Sequence, residues 1–392
     1  MKKFMISASA LALSGSMAFA MDEDAMDEAM MMEAPAPSVT LGGSGELGFK
    51  HVDDGDDATE DIQLIREYKV SFSSSSTTDG GLVFGAGISI ENTHDNDPDK
   101  SVKGSNVFIG AADGTWRLKF GGNDPGIEKA GGIGVADGDG FHYGGDDTTI
   151  GFEGSIGTTS YRITLADPRA KEGNGGDDPG GNTKADGDWS AGASTSLGDV
   201  SVGFGMDSED GLAIGVGTTL QGIGVDLFWS KSEPSSASGH IVDPEVTLNT
   251  STNANAGLTY TRSQENTGLG IKASVSAGEG ATFSAAYSTR KDEYTARGIY
   301  DIDTTDDTDG VAASASRQDE TKEIEIAFEY DLGGGATFKT SIVKEDKETT
   351  GSVTAPDNAF GTTDDDGDDP DVVSLNTSSD KTTLKALIAM SF

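Results

Sequence analysis

From Val39 to Phe392 apolar residues recur at every second position in short runs, and turn-forming residues separate the runs. Leu82, Phe84, Ala86, Ile88 and Ile90 form one run, Val200, Val202, Phe204 and Met206 another, and Ile223, Val225, Leu227 and Trp229 a third. The closing run sets Leu384, Ala386, Ile388, Met390 and Phe392 on one face. A period of two predicts strands with one apolar face and one mixed or polar face. Aromatic residues gather near the ends of the runs, where a strand crossing a bilayer would meet its two interfaces.

Seventeen such segments can be marked, whereas an antiparallel barrel with both chain ends on one rim needs an even number. The connections fall into two populations. Short ones lie at 77–81, 112–115, 197–199, 278–280 and 333–335. Long, mostly acidic ones lie at 51–61, 91–104, 121–147, 168–187, 233–252, 291–319 and 345–379. Alternation of short with long fails only around 252–267, so 253–262 is read as a strand extension or part of a long loop, which leaves about sixteen strands. The expected fold is an all-β, transmembrane, antiparallel β-barrel over 38–392, with Phe392 at its closure.

The N-terminal region agrees with an exported chain. Lys2 and Lys3 precede an apolar stretch from Phe4 to Met17, and Ala18-Phe19-Ala20 is a small-x-small cleavage pattern, so residues 1–20 read as a signal peptide. The stretch is too short to span a bilayer, and no later window is long and apolar enough. A membrane protein without a spanning helix has to be a closed barrel, since lipid offers backbone groups no partners. Residues 21–37, MDEDAMDEAMMMEAPAP, form an acidic, Met-rich segment that reads as a solvated periplasmic tail.

Composition supports the same class. The chain of 392 residues has a formal charge of −40, 55 glycines, 34% hydrophobic residues and no cysteine. Nucleic acid as a partner is excluded by the missing basic footprint, and disulfides by the absence of cysteine. The low hydrophobic content is poor for a soluble core of this length but suits a barrel with a wet interior. Gly43-x-Gly45-x-x-Gly48 has the dinucleotide-binding spacing but no helix after it. His51, His94, His142 and His240 read as isolated loop residues without zinc spacing. The acidic runs at 306–310 and 364–369 do not complete a calcium loop. No cofactor is expected; the loops are read as solvated, with loosely held Ca2+ or Mg2+ as the lesser alternative. No enzyme chemistry is indicated.

The signal peptide, the Gly-rich alternating strands (210–229, DGLAIGVGTTLQGIGVDLFW), the long loop after the fifth strand and the terminal Phe392 together resemble the general porins of the alphaproteobacterial type. The resemblance covers nearly all of 39–392. It implies a sixteen-stranded diffusion channel in the outer membrane of a Gram-negative bacterium, assembled as a homotrimer among membrane lipids. It also implies a third external loop folded into the pore, here 121–147. The apolar residues Ile127, Ile133, Val135 and Phe141 suit a loop that packs on the barrel wall. Its carboxylates Asp124, Glu128, Asp137, Asp139, Asp146 and Asp147 are then candidates for an acidic constriction. Strand parity turns Lys50, Lys69, Arg117, Lys119, Arg162 and Lys385 into the lumen as a candidate basic wall. Clustered charge of both signs would set a transverse field and select by charge and size. The expected function is passive passage of small hydrophilic solutes and ions with cation preference. The alternatives are a solute-specific channel and a barrel-anchored surface protein without channel activity.

Overall fold

A computed structural model describes residues 11–12, 37–55, 62–92, 101–136, 149–166, 189–208, 210–233, 258–300, 311–355 and 371–392. Sixteen strands form one closed antiparallel barrel: β1 (Ser38–Asp53), β2 (Ile62–Thr77), β3 (Leu82–Asn92), β4 (Ser101–Ala111), β5 (Arg117–Gly121), β6 (Thr149–Ile156), β7 (Thr159–Ala166), β8 (Trp189–Leu197), β9 (Val200–Asp207), β10 (Leu212–Leu220), β11 (Ile223–Ser232), β12 (Leu258–Ser276), β13 (Ala281–Tyr300), β14 (Val311–Gly333), β15 (Ala336–Ala355) and β16 (Asp371–Ser391). Each pairs with its neighbour in sequence. The circle closes where β16 meets β1 from Thr382↔Asp53 to Ser391↔Ser44. Past that ladder the Gly43 amide donates to the Phe392 carbonyl at 2.9 Å, and the Phe392 amide donates to the Gly43 carbonyl at 3.0 Å. A Cβ at Gly43 would run into the Phe392 ring, so glycine there admits the terminal aromatic. A two-residue bridge, Leu11–Ala12, pairs with Thr40 and Leu41 within the segment read as an export signal and is not counted among the barrel strands.

The odd count in the sequence has a simple cause. The segments at 258–260 and 269–275 are one strand, β12, which runs unbroken for 19 residues. Two turns were also invisible as turns: 157–158 and 221–222 are only two residues long. Gly157 and Gly222, with positive φ of 62° and 88°, let the chain reverse there. His51 lies in β1, not in a loop, because pairing with Ile62 and Leu384 carries the strand past Phe49. His94, His142 and His240 lie outside the described residues.

The apolar positions are on the outside. Leu47, Phe84, Phe204, Leu227, Ile271, Phe283 and Ile326 are all exposed, and others of that alternating set, such as Val202, Val225 and Phe328, are half-buried. Water would not tolerate so continuous an apolar belt, whereas lipid solvates it. What is buried is small and lies within the barrel: Ile127, Ala130, Ile133, Ala136, Ala213 and Phe228 form one cluster. One rim carries the short turns, including 78–81, 198–199 and 334–335, together with Phe392, and the other carries the long connections. In the short turn after β4, the Thr115 amide and hydroxyl donate to Asp113 at 3.0 and 2.7 Å. These bonds hold the exposed Asp113 carboxyl below its ordinary pKa.

Candidate functional site

The lumen is narrowed by the chain that leaves β5. It forms two short 3₁₀ turns, Gly126–Ala130 and Gly134–Ala136, both against the inner wall. The reason is hydrogen bonding as much as apolar contact. The first amides of a helical turn lack intrahelical acceptors, and inside a barrel they must find partners. Wall hydroxyls supply them: the Ile127 amide donates to Ser190 Oγ at 2.7 Å, the Gly126 amide to Thr164 Oγ1 at 3.4 Å, and the Val135 amide to Ser288 Oγ at 3.0 Å. Ser190, Thr164 and Ser288 are almost fully buried. A lumen-facing hydroxyl that water cannot reach is here the mark of a wall covered by protein.

Glycine makes the close approach possible. A Cβ added at Gly192, Gly203, Gly205, Gly215 or Gly270 would lie less than 3.0 Å from loop atoms of Gly126, Lys129, Ile127, Ala130 and Ile133 respectively. Real side chains do not pack so near, so the loop rests directly on the backbone of β8, β9, β10 and β12. Ile127 and Ile133 fill the remaining space with Ala213 and Phe228. Val135 is half-buried, and Phe141 lies outside the described residues.

The acidic candidates divide. Asp124 and Glu128 are exposed within the lumen on this loop; Asp137, Asp139, Asp146 and Asp147 lie outside the described residues. Asp124 is not set across the pore from the base nearest it. Its Oδ2 pairs with Arg162 Nη1 at 3.0 Å, and the same nitrogen donates to the Asp124 carbonyl at 3.3 Å. Arg162 Nε pairs with Glu153 on β6 at 3.3 Å. With its side chain only 16% exposed, Arg162 is a strut between wall and loop root more than a free lumen charge.

The other bases are arranged by register. Arg117 and Lys119 share the inner face of β5, and the Arg117 guanidinium stacks on Phe108 at 4.4 Å from the ring centre. Lys69 pairs with Glu91. Lys50 and Lys385 are direct partners across the closing seam, with Gln63 beyond Lys50 and Ser341 beyond Lys385. The second turn of the loop approaches Glu323 and Ser288, since a Cβ at Gly134 would meet both. The candidate bases thus lie on β16, β1, β2, β5 and β7, and Glu323 and Glu325 on β14 lie two strands from β16 in the ring.

Sequence parity gave no hint of Glu153 and Glu91 as partners, nor of Ser190, Thr164 and Ser288 as loop acceptors. A signal existed: glycines on the lumen parity of successive strands, in VGFGM (202–206) and IGVG (214–217), mark a wall with something lying on it. Among the described residues no cluster of side chains has metal-binding geometry.

Comparison with known proteins adds the lineage. The profile described as Gram-negative porin matches residues 7–351. Among solved structures, a porin refined at 1.8 Å is 17% identical with a TM-score of 0.49, over 90% of this chain and 100% of that one. The outer-membrane protein OmpT of Vibrio cholerae is 10% identical with a TM-score of 0.44, over 91% and 100%. A variant of the Rh. blastica porin is 12% identical with a TM-score of 0.38, over 90% and 100%. No curated protein sequence matches the chain.

Proposed function

Because the chain belongs to the Gram-negative porin family of the outer membrane, we propose that it is a passive diffusion channel for small hydrophilic solutes and ions, with a preference for cations. The observation that carries this reading is the loop after β5, seated inside the barrel on a glycine and serine wall. A loop built into the lumen narrows a pore; a barrel serving only as an anchor has no use for so fitted a constriction. Passage through it involves no bond making. Selection follows from the cross-section and from the charges around it.

In this reading Asp124 and Glu128, with Asp137, Asp139, Asp146 and Asp147, form the acidic side of the constriction. Lys50, Lys69, Arg117, Lys119 and Lys385 line the basic wall, with Arg162 tying the two together. The cation preference rests on the −40 formal charge of the chain, which lowers the potential at the mouth and enriches cations there. A homotrimer is the assembly that the general-porin resemblance implies.

Purified protein in a planar bilayer with a KCl gradient tests the proposal. Ohmic conductance in groups of three steps, with a reversal potential of cation sign, is the expected result. An anion-sign potential would overturn the selectivity alone. A folded, heat-modifiable barrel that never conducts would overturn the channel in favour of a surface anchor.

A further inference from the structure

Lys50 and Lys385 stand in different company from most other lumen bases. They face each other across the seam where β16 closes on β1, and like charges directly opposite on a sheet destabilise it. Lys69 has Glu91, Arg162 has Asp124 and Glu153, Arg290 has Asp292, and Arg317 has Asp319. Among the described residues neither Lys50 nor Lys385 makes an ion pair.

Register explains why. Along the seam the rows beside the pair hold Thr383 with Val52 on one side and Leu387 with Gly48 on the other. The strands beyond set Ser341 against Lys385 and Gln63 against Lys50. No carboxylate neighbours either ammonium in this frame, which is unusual for its aliphatic content. Lumen positions elsewhere are mostly glycine, serine, threonine and charged residues. Here Val52 and Leu387 are buried on the lumen parity, and Ile65 and Val343 are half-buried on the same face. Leu387 takes the space over Gly48, where a Cβ would lie 2.5 Å from the leucine Cβ. Gly48 in turn pairs with Ile65 on β2. The described turns of the inserted loop rest on β7 to β14, so this wall lies clear of them.

An ammonium attracts an anion more strongly where hydrocarbon stands in place of water, and apolar surface covered beside it adds its own transfer free energy. We infer that the seam is a binding subsite for small aliphatic monocarboxylates. The carboxylate bridges Lys50 and Lys385 and relieves their repulsion, while the hydrocarbon chain lies along Ile65 and Val343. Chloride answers the charge but brings nothing to the aliphatic flanks. The subsite rests on the channel reading for access of solute to the lumen, not for binding itself, and it does not depend on the sign of the ion preference.

The test uses the full-length mature protein, refolded in detergent and confirmed by heat-modifiable mobility, with sodium pentanoate and sodium acetate as probes and protein-free micelles as the blank. Titration by saturation-transfer NMR at neutral pH should show pentanoate bound about tenfold more tightly than acetate, as expected for partial cover of its additional methylenes. Lys50→Gln with Lys385→Gln should weaken pentanoate about tenfold or more, through the loss of hydrogen bonds to a charged group. Ile65→Ser with Val343→Ser should bring pentanoate down towards acetate and leave acetate unchanged, a result that a disturbed seam would not give. Equal affinity for the two acids in the unaltered protein would overturn the subsite, as would unchanged pentanoate binding in the Gln variant. Conductance is recorded on the same preparations. A barrel that binds pentanoate and never conducts would overturn the channel and leave the subsite; one that conducts and does not bind would do the reverse.

Discussion

Arg162 shows how a single side chain can combine two roles. Its parity on β7 faces it into the lumen, yet its two nitrogens are taken up by Glu153 on the neighbouring strand and by Asp124 at the root of the inserted loop. A guanidinium can bind both at once because its donors form a rigid fork, which a lysine ammonium does not offer. Arg162→Met removes the strut and leaves two carboxylates facing each other in a partly desolvated corner. The expected cost is roughly 1–3 kcal/mol of local stability. The expected readout is a noisier open channel with stronger cation selectivity, because one positive charge is lost and the loop root loosens. Arg162→Lys should recover the selectivity but not the quiet baseline. If Arg162→Met conducts as quietly as the parent, the strut is dispensable. That Arg162 points inward was legible in the sequence. Its pairing was not, since Glu153 and Asp124 stand 9 and 38 residues away and only barrel register brings them to it.

The element that gives the barrel its character is the inserted loop and its seat. Parity reasoning finds strands because each strand obeys a local rule, with apolar residues facing out at every second position. The outward rule does not find the seat; its mark is on the opposite parity, where glycines of β8, β9, β10 and β12 are small because another segment lies on them. The apolar Ile127 and Ile133 pointed to wall packing, and the lumen-parity glycines are a sign of a covered wall, but which wall hydroxyls accept the loop amides was not readable. The consequence is testable. Gly215→Val puts a branched side chain where the Ala130 carbonyl lies, and valine suits a strand, so the barrel should form while the loop is pushed off. Ile127→Ala acts from the other side; truncating an isoleucine in a packed site costs about 2–5 kcal/mol. Both variants should show larger single-channel conductance and faster uptake of bulky solutes in liposome swelling, at unchanged heat-modifiable mobility. Unchanged conductance in both would mean that the seated turns do not bound the pore.

At the scale of the whole molecule the distribution of charge matters more than its total. On the lumen face acids and bases nearly match: Glu46 with Lys50 on β1, Glu67 with Lys69 on β2, Arg290 with Asp292 on β13, Arg317 with Asp319 on β14, and Glu345 opposite Lys381. The acidic excess evident in the sequence therefore belongs mainly to the connections of the long-loop rim, such as 364–369. A potential generated at an open mouth reaches ions only through electrolyte, whose screening length is about 10 Å at 0.1 M salt and about 3 Å at 1 M. A potential generated by Asp124 and Glu128 within the narrow lumen is screened much less. Cation preference should accordingly be strong when the reversal potential is measured around 0.1 M KCl and should fade as both compartments are raised to about 1 M at a fixed ratio. Neutralising the acidic run at 364–369 should remove much of the low-salt preference and leave the high-salt value unchanged. Should the preference persist undiminished at 1 M, selection is made at the constriction, and Asp124→Asn with Glu128→Gln, not the rim substitutions, would abolish it.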